Sequence, residues 1–150
     1  MPHLQDDPDP AQLAAVDAQC FADVWDGAAY ARLLGNPAVR ARLLRDDAGT
    51  PAGLLCWQRV ADELELYRIA VVPARRGQGL GLWLLERLLD EARQAGVRRV
   101  QLEVRAGNVA ARCLYAKAGF AEVGCRPGYY REPTEDALLC AWEPAGRPHA

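Results

Sequence analysis

The sequence predicts a single α/β domain built on a mixed sheet, with about six to seven strands and four helices. Three observations carry this. Between residues 39 and 72, short runs of alternating apolar and polar residues are joined by polar turns, the pattern of an antiparallel meander. From 64 to 104 a strand-like run meets a glycine cluster, then a long helix with an apolar stripe, then a second strand, which reads as a βαβ crossover. Helix patterns opened by capping residues stand before the meander and after the crossover. Sheet and helices in this order give an α/β architecture.

The elements follow in chain order. Asp9-Pro10 reads as an N-cap with proline at the first helical position, and Leu13, Val16 and Cys20 then share one helix face. Asp26 caps a second, short helix carrying Tyr30, Leu33 and Leu34, which Gly35-Asn36-Pro37 stops. Val39, Ala41 and Leu43 alternate with arginines in the first meander strand. The turn Asp46–Pro51 leads to Gly53–Val60, and Ala61-Asp62-Glu63 leads to Leu64–Val72. After Pro73 comes Arg75-Arg76-Gly77-Gln78-Gly79-Leu80-Gly81, then a helix with Leu82, Leu85, Leu88, Leu89 and Ala92 on one side and Gly96 past its end. In the strand that follows, Val100, Leu102 and Val104 take one face and Gln101 and Glu103 the other. Asn108 opens a helix through Ala111, Leu114 and Ala118, closed by Gly119, and Phe120 starts another strand. Ala137–Trp142 forms the last.

Length and composition bound the function. A chain of 150 residues is one domain and buries about 68–70% of the surface its unfolded form exposes, so it folds without a metal or disulfide staple. The expected organisation is one domain over 1–150, with flexible ends at 1–9 and 144–150. A net charge of −2 argues against a nucleic-acid coat. No apolar run reaches membrane-spanning length, and the acidic N-terminus does not read as a signal peptide. The five cysteines form no CxxC pair, and the two histidines, His3 and His149, lie near the chain ends. No metal site, Ser/His/Asp triad or Cys/His dyad is therefore expected, and the cysteines read as small buried hydrophobes of a reducing cytoplasm. The expected working species is a monomer or weak homodimer.

The glycine turn holds the strongest chemical signal. Glycines let backbone N–H groups approach an anion, and the following helix adds its dipole. Arg75 and Arg76 place positive charge there. A Walker loop would need Lys-Ser/Thr after its last glycine, where Leu82-Trp83 stand. A dinucleotide fingerprint would need GxGxxG, and the glycines stand at 77, 79 and 81. The remaining pattern, Arg/Gln-x-x-Gly-x-Gly/Ala, is met by Arg76 to Gly81. It resembles the pyrophosphate loop of the GNAT superfamily of N-acetyltransferases. The segment Asn108-x-x-Ala111-x-x-x-Tyr115-x-x-x-Gly119-Phe120 is similar to that family's second signature. The resemblance covers roughly residues 10–143. With Ile69-Ala70-Val71, Leu102–Arg105, Tyr129-Tyr130 and Glu135-Asp136-Ala137, it runs closest to the ribosomal-protein-alanine N-acetyltransferases of the RimI type.

What this resemblance implies is an acyl-CoA N-acyltransferase fold with a first strand near residues 1–8 and acetyl-CoA as co-substrate. Arg76, Gly77, Gln78, Gly79, Leu80, Gly81 and Leu82 would hold the pyrophosphate. A backbone N–H in Ile69, Ala70 or Val71 would meet the thioester carbonyl, and Asn108 belongs to the same cofactor set. In the RimI type the residue matching Glu103 accepts the amine proton, and in the family the tyrosine matching Tyr115 lies beside the CoA sulfur. Glu65, Tyr129 and Tyr130 fall on the acceptor side. The implied partner is a peptide or protein N-terminus, on a small-subunit ribosomal protein. Departures are the short first strand, which contains Asp6, Asp7 and Pro8, Val24 before Trp25, where proline is common, and Cys125, where a second basic residue beside Arg126 is common.

The residues themselves allow this chemistry. An α-amine titrates at about 7.7–8.0, so a modest base keeps it nucleophilic, and a phenol can serve a departing thiolate. No covalent enzyme intermediate is required. Read as structure alone, Glu103 is a solvated strand-face carboxylate beside Arg105, and Tyr115 a packing aromatic. Three other functions compete: an acetyltransferase of a small amine or antibiotic, a non-catalytic acyl-CoA-binding module, and a nucleotide-binding domain. Fold alone does not separate the acceptors. Having both Glu103 and Tyr115 weighs against the binding module. The missing Lys-Ser/Thr weighs against the nucleotide domain.

Overall fold

Seven strands and four helices follow one another in a computed structural model that describes residues 2–144. The strands are β1 (His3–Asp6), β2 (Val39–Arg45), β3 (Pro51–Val60), β4 (Glu63–Val71), β5 (Arg99–Arg105), β6 (Ala121–Tyr130) and β7 (Glu135–Trp142). The helices are α1 (Pro10–Cys20), α2 (Gly27–Leu34), α3 (Leu80–Gln94) and α4 (Val109–Ala118). The hydrogen-bonded strand order is β1-β2-β3-β4-β5-β7-β6. β4 and β5 run parallel across Glu63↔Arg99 to Glu65↔Gln101, so α3 is the crossover helix that the pattern predicts.

Local chemistry accounts for the helix ends. Asp9 and Asp26 accept backbone N–H bonds from Ala11 (2.9 Å) and Ala29 (2.8 Å), and Asn108 accepts one from Ala111 (3.1 Å). Gly119 closes α4 at φ +101°, and Gly96 lies just past α3 at φ +68°.

The chain divides into two compact units. The first comprises the residues up to Arg59 together with Leu66–Leu84. Its core gathers Leu13 and Val16 of α1, Tyr30 of α2, Leu43, Leu54 and Cys56 of the meander, and Leu84 of α3. The N-terminal stretch expected to be flexible contains β1, paired with β2 from His3↔Arg45 to Asp6↔Arg42. Arg45 ties it down by donating to Gln5 (2.7 Å), to Gln12 (3.0 Å) and to the Gly49 carbonyl (2.8 Å). At the other end, residue 144 is described, and 145–150, with His149, lie outside the described residues. Gly53 is required by close approach: a Cβ there would meet the Ala70 carbonyl oxygen at 2.5 Å.

The second unit comprises Val60–Glu65 and the residues from Leu85 onward. Leu85, Leu88, Leu89, Val100, Leu102, Val104 and Trp142 are among its buried hydrophobes. β5 pairs antiparallel with β7, and β7 with β6. The β6 register slips between Glu122 and Gly124, a bulge that re-aims the edge strand. Pro127 is tolerated there because an edge strand has donors to spare.

Candidate active site

In the first unit, β4 runs through Ile69, Ala70 and Val71, of which Ala70 is buried and its neighbours half-buried. A single 3-10 turn over Pro73–Arg75 leads to the glycine loop. Gly77 and Gly79 both adopt left-handed backbone, φ +78° and +79°, and a Cβ at either would point into open space. The first α3 bond is donated by Trp83 N–H to the Gly79 carbonyl (3.1 Å). The N–H groups of Leu80, Gly81 and Leu82 thus belong to the first turn, whose donors have no partner within a helix. Gln78 is exposed, and Leu80, Gly81 and Leu82 are half-buried. This loop offers an anion backbone donors, a helix dipole and unobstructed approach, so its residues fit a pyrophosphate group.

The two arginines contribute unequally. Arg75 donates to Asp46 (2.6 Å), so its charge is already compensated, contrary to its expected place as loop charge. The Asp46 carboxyl is held below its usual range, first by the Thr50 N–H and then by Arg75. Arg76 is exposed, and its Nε donates to the Val71 carbonyl (2.9 Å), which also accepts from the Cys20 thiol (3.6 Å). The end of α1 and the start of the loop therefore both grip the strand at Val71.

In the second unit, β5 alternates as expected. Val100, Leu102 and Val104 are buried, while Glu103 leaves the core face with its side chain 28% exposed. Glu103 opposes Leu139 of β7, which opposes Gly124 of β6. The partner of Glu103 is Arg126 (3.6 Å), which lies on a diagonal of the sheet two strands away. The sequence-level pairing with Arg105 gives way to a different one. Arg105 lies 3.4 Å from Glu135 and 4.1 Å over the Tyr130 ring. Glu135 also accepts the Gly107 N–H. Tyr129 stands edge-on to Tyr130 (5.2 Å) with Arg126 over its ring (5.4 Å). Burial, and then the Glu103 charge, push the Tyr130 phenol up. Glu103, Tyr129 and Tyr130 thus form one cluster. Glu65 is half-buried and opposes Gln101, one alternation before Glu103.

Tyr115 is 8% exposed and packs on Phe120 at 5.8 Å. Burial pushes its phenol up to about 12, with smaller contributions from Cys140 and Tyr130. It is therefore a neutral O–H donor at every ordinary pH. Asn108 uses its side-chain oxygen as the α4 cap. All five cysteines are free thiols, but only Cys56 and Cys140 are the buried hydrophobes expected of them; Cys20 is half-buried and Cys113 and Cys125 are exposed.

Asp17 was not singled out from sequence, nor was the pairing of Arg126 with Glu103. Asp17 carried a readable signal: a carboxylate four residues after Leu13, on the apolar face of α1.

The sequence profile of the Acetyltransferase (GNAT) family matches residues 9–120. The [ribosomal protein bS18]-alanine N-acetyltransferase of Escherichia coli K12 is 38% identical over 128 residues, covering 84% of this chain and 85% of that relative. The N-alpha-acetyltransferase RimI of Mycobacterium tuberculosis is 41% identical over 138 residues, covering 86% and 83%. The crystal structure of the Escherichia coli ribosomal-protein-S18-alanine N-acetyltransferase superposes with a TM-score of 0.87 at 33% identity, covering 100% of this chain and 99% of that one.

Proposed function

The chain belongs to the acetyltransferase (GNAT) family, and from that premise we propose that it moves the acetyl group of acetyl-CoA onto the N-terminal α-amine of a protein, the alanine that begins ribosomal protein bS18. The observation that carries this reading is the 38–41% identity, held over more than four fifths of both chains, to relatives named for that activity. Residues 1–150 would act as one N-acetyltransferase domain, as a monomer or weak homodimer in the cytoplasm. None of the described helices is long and apolar enough to cross a membrane.

The co-substrate supplies an activated acyl group and a thiol leaving group. This chain supplies everything else. Gly77 to Leu82 present backbone donors to the pyrophosphate, and Arg76 adds charge beside them. Ile69, Ala70 and Val71 offer backbone donors to the carbonyl oxygen, where negative charge develops. Glu103 accepts the proton that the amine loses as it attacks, directly or through water. Arg126 stands beside that carboxylate at 3.6 Å. Glu65 and the rings of Tyr129 and Tyr130 orient the acceptor.

Tyr115 donates its phenolic proton to the departing sulfur. A phenol at about 12 is a poor acid toward a thiolate in water, whose thiol titrates near 8.5. Burial raises a thiol as well: the fully buried Cys56 is pushed up to about 12 in this same chain. Release of the CoA sulfur away from solvent would raise its thiol in the same direction, which narrows the gap to Tyr115.

The test is to incubate the enzyme with acetyl-CoA and a peptide that begins Ala-Arg and contains an internal lysine, then to locate the acetyl group by fragmentation mass spectrometry. Acetylation of the α-amine supports the reading. Acetylation of the lysine alone removes it.

A further inference from the structure

Asp17 is the one buried charged residue among the described residues, with no exposure, and the proposed chemistry does not use it. Its carboxylate accepts from the Tyr30 O–H (2.6 Å), from the Trp25 backbone N–H (2.9 Å), and from Arg68 at both oxygens (2.8 and 2.9 Å). Arg68 sits on β4 with its side chain 9% exposed. It also donates to the Asp23 carbonyl (2.7 Å), and its guanidinium lies 4.3 Å from the Phe21 ring centroid and 3.9 Å from that of Trp25.

Stability does not explain such an arrangement, because well-packed apolar residues serve a core as well as a buried ion pair does. Geometry does. Apart from Tyr30, the groups that Asp17 and Arg68 hold belong to the segment joining α1 to α2, at Phe21, Asp23 and Trp25. A planar guanidinium fork between two rings fixes them more tightly than a flexible ammonium could. The segment held in this way delivers Trp25 edge-on to Tyr67 of β4 (6.5 Å, 82°). Trp25 and Tyr67, with Leu33, Val39 and Gln58, line a cavity of about 460 Å3. Tyr67 stands two residues before Ile69, roughly 7 Å along the strand. A polypeptide whose amine reaches a thioester at Ile69–Val71 must carry its next residues past such a neighbour.

We propose that Asp17 and Arg68 are positioning residues for the acceptor: by holding Trp25 against Tyr67 they set the aromatic wall along which the acceptor polypeptide lies. The inference rests on the reading that Ile69–Val71 receives the thioester.

Three variants test it: Arg68→Lys, which keeps the charge and removes the fork; Trp25→Leu, which leaves the ion pair intact; and the two combined. Each is assayed for the KM of an Ala-Arg peptide and the KM of acetyl-CoA. Arg68→Lys and Trp25→Leu are each expected to raise the peptide KM about tenfold and to leave the acetyl-CoA KM within twofold. The double variant is expected to stay within about twofold of the weaker-binding single variant, since both changes act on one wall. Multiplying effects, or a parallel rise of both KM values, overturn the inference. If Arg68→Lys does not fold, Trp25→Leu decides alone, and an unchanged peptide KM overturns it. Failure of the parent enzyme to acetylate any peptide amine refutes the underlying reading instead, a result distinct from an active parent with unsplit variants.

Discussion

Replacing Gly79 by alanine separates conformational strain from ligand approach, because α3 carries its own control at the opposite end. Gly79 has φ +79° and Gly96 φ +68°, and a Cβ at either meets nothing within 4 Å. Neither substitution makes a clash. Each costs the left-handed penalty of an ordinary residue, about 1–2 kcal/mol. In a domain of this size each kcal/mol lowers Tm by about 2–4 °C, so both variants are expected to melt about 2–8 °C below the parent. Only Gly79 stands where the backbone is proposed to meet a pyrophosphate. Losing one hydrogen bond to a charged group costs about 1.5–3 kcal/mol, which is roughly 10- to 150-fold in affinity. The assay is steady-state kinetics at saturating peptide with acetyl-CoA varied, and calorimetric titration gives its Kd independently. Gly79→Ala is expected to raise the acetyl-CoA KM at least ~10-fold and Gly96→Ala to leave it within twofold. Equal KM values for the two variants, at matched Tm, would refute the assignment of this loop to the pyrophosphate.

Glu103→Gln is expected to lose about 10²–10⁴-fold in kcat/KM near pH 7 and to recover part of it above pH 9, where the α-amine is already neutral. A pH–rate profile parallel to the parent's would show that Glu103 is not the base. Tyr115→Phe keeps the packing on Phe120 at 5.8 Å, so kcat is expected to fall about 10²-fold with Tm nearly unchanged. A Tm loss that accounts for all of the lost activity would leave Tyr115 a packing role only. Alkaline stability follows from the buried thiol of Cys56, pushed from 9.0 to about 12. The folded form holds that proton longer, so its contribution is complete below pH 9 and is lost as pH rises from 9 to 12. Tyr115 adds to the same trend from pH 10 to 12. Denaturant titrations at pH 8 and pH 10.5 are expected to show a smaller drop for Cys56→Ala than for the parent, and an equal drop would contradict the burial argument.

Much of the fold was legible because its signals are local. Asp9, Asp26 and Asn108 cap the helices that their positions predict, and the alternation of β5 puts Glu103 on the polar face. What sequence did not reach depends on pairing between distant segments. Arg126 finds Glu103 only through the β5–β7–β6 register and its slip at Glu122/Gly124, which no local pattern encodes. Arg75 is drawn off by Asp46, 29 residues earlier. Asp17 stood visibly on an apolar stripe, but its meaning came from Arg68, 51 residues away. The N-terminal stretch is acidic and contains two prolines before Pro10, which suggested flexibility. Arg45, 40 residues away, anchors β1 by donating to Gln5.

The most direct test of N-terminal acetyl transfer is a comparison of kcat/KM across amines: a peptide beginning Ala-Arg, the same peptide beginning Ala-Glu, free lysine, spermidine and an aminoglycoside. On the proposed roles, Glu65 would offer a carboxylate to a cationic second residue, and Tyr129 and Tyr130 would align the amine and so contribute through effective concentration. The Ala-Arg peptide is expected to exceed lysine and spermidine by at least ~10²-fold. It is expected to exceed the Ala-Glu peptide by ~10-fold or more, because like charges then meet. A polyamine or aminoglycoside turned over faster than the Ala-Arg peptide would contradict the protein N-terminus as acceptor.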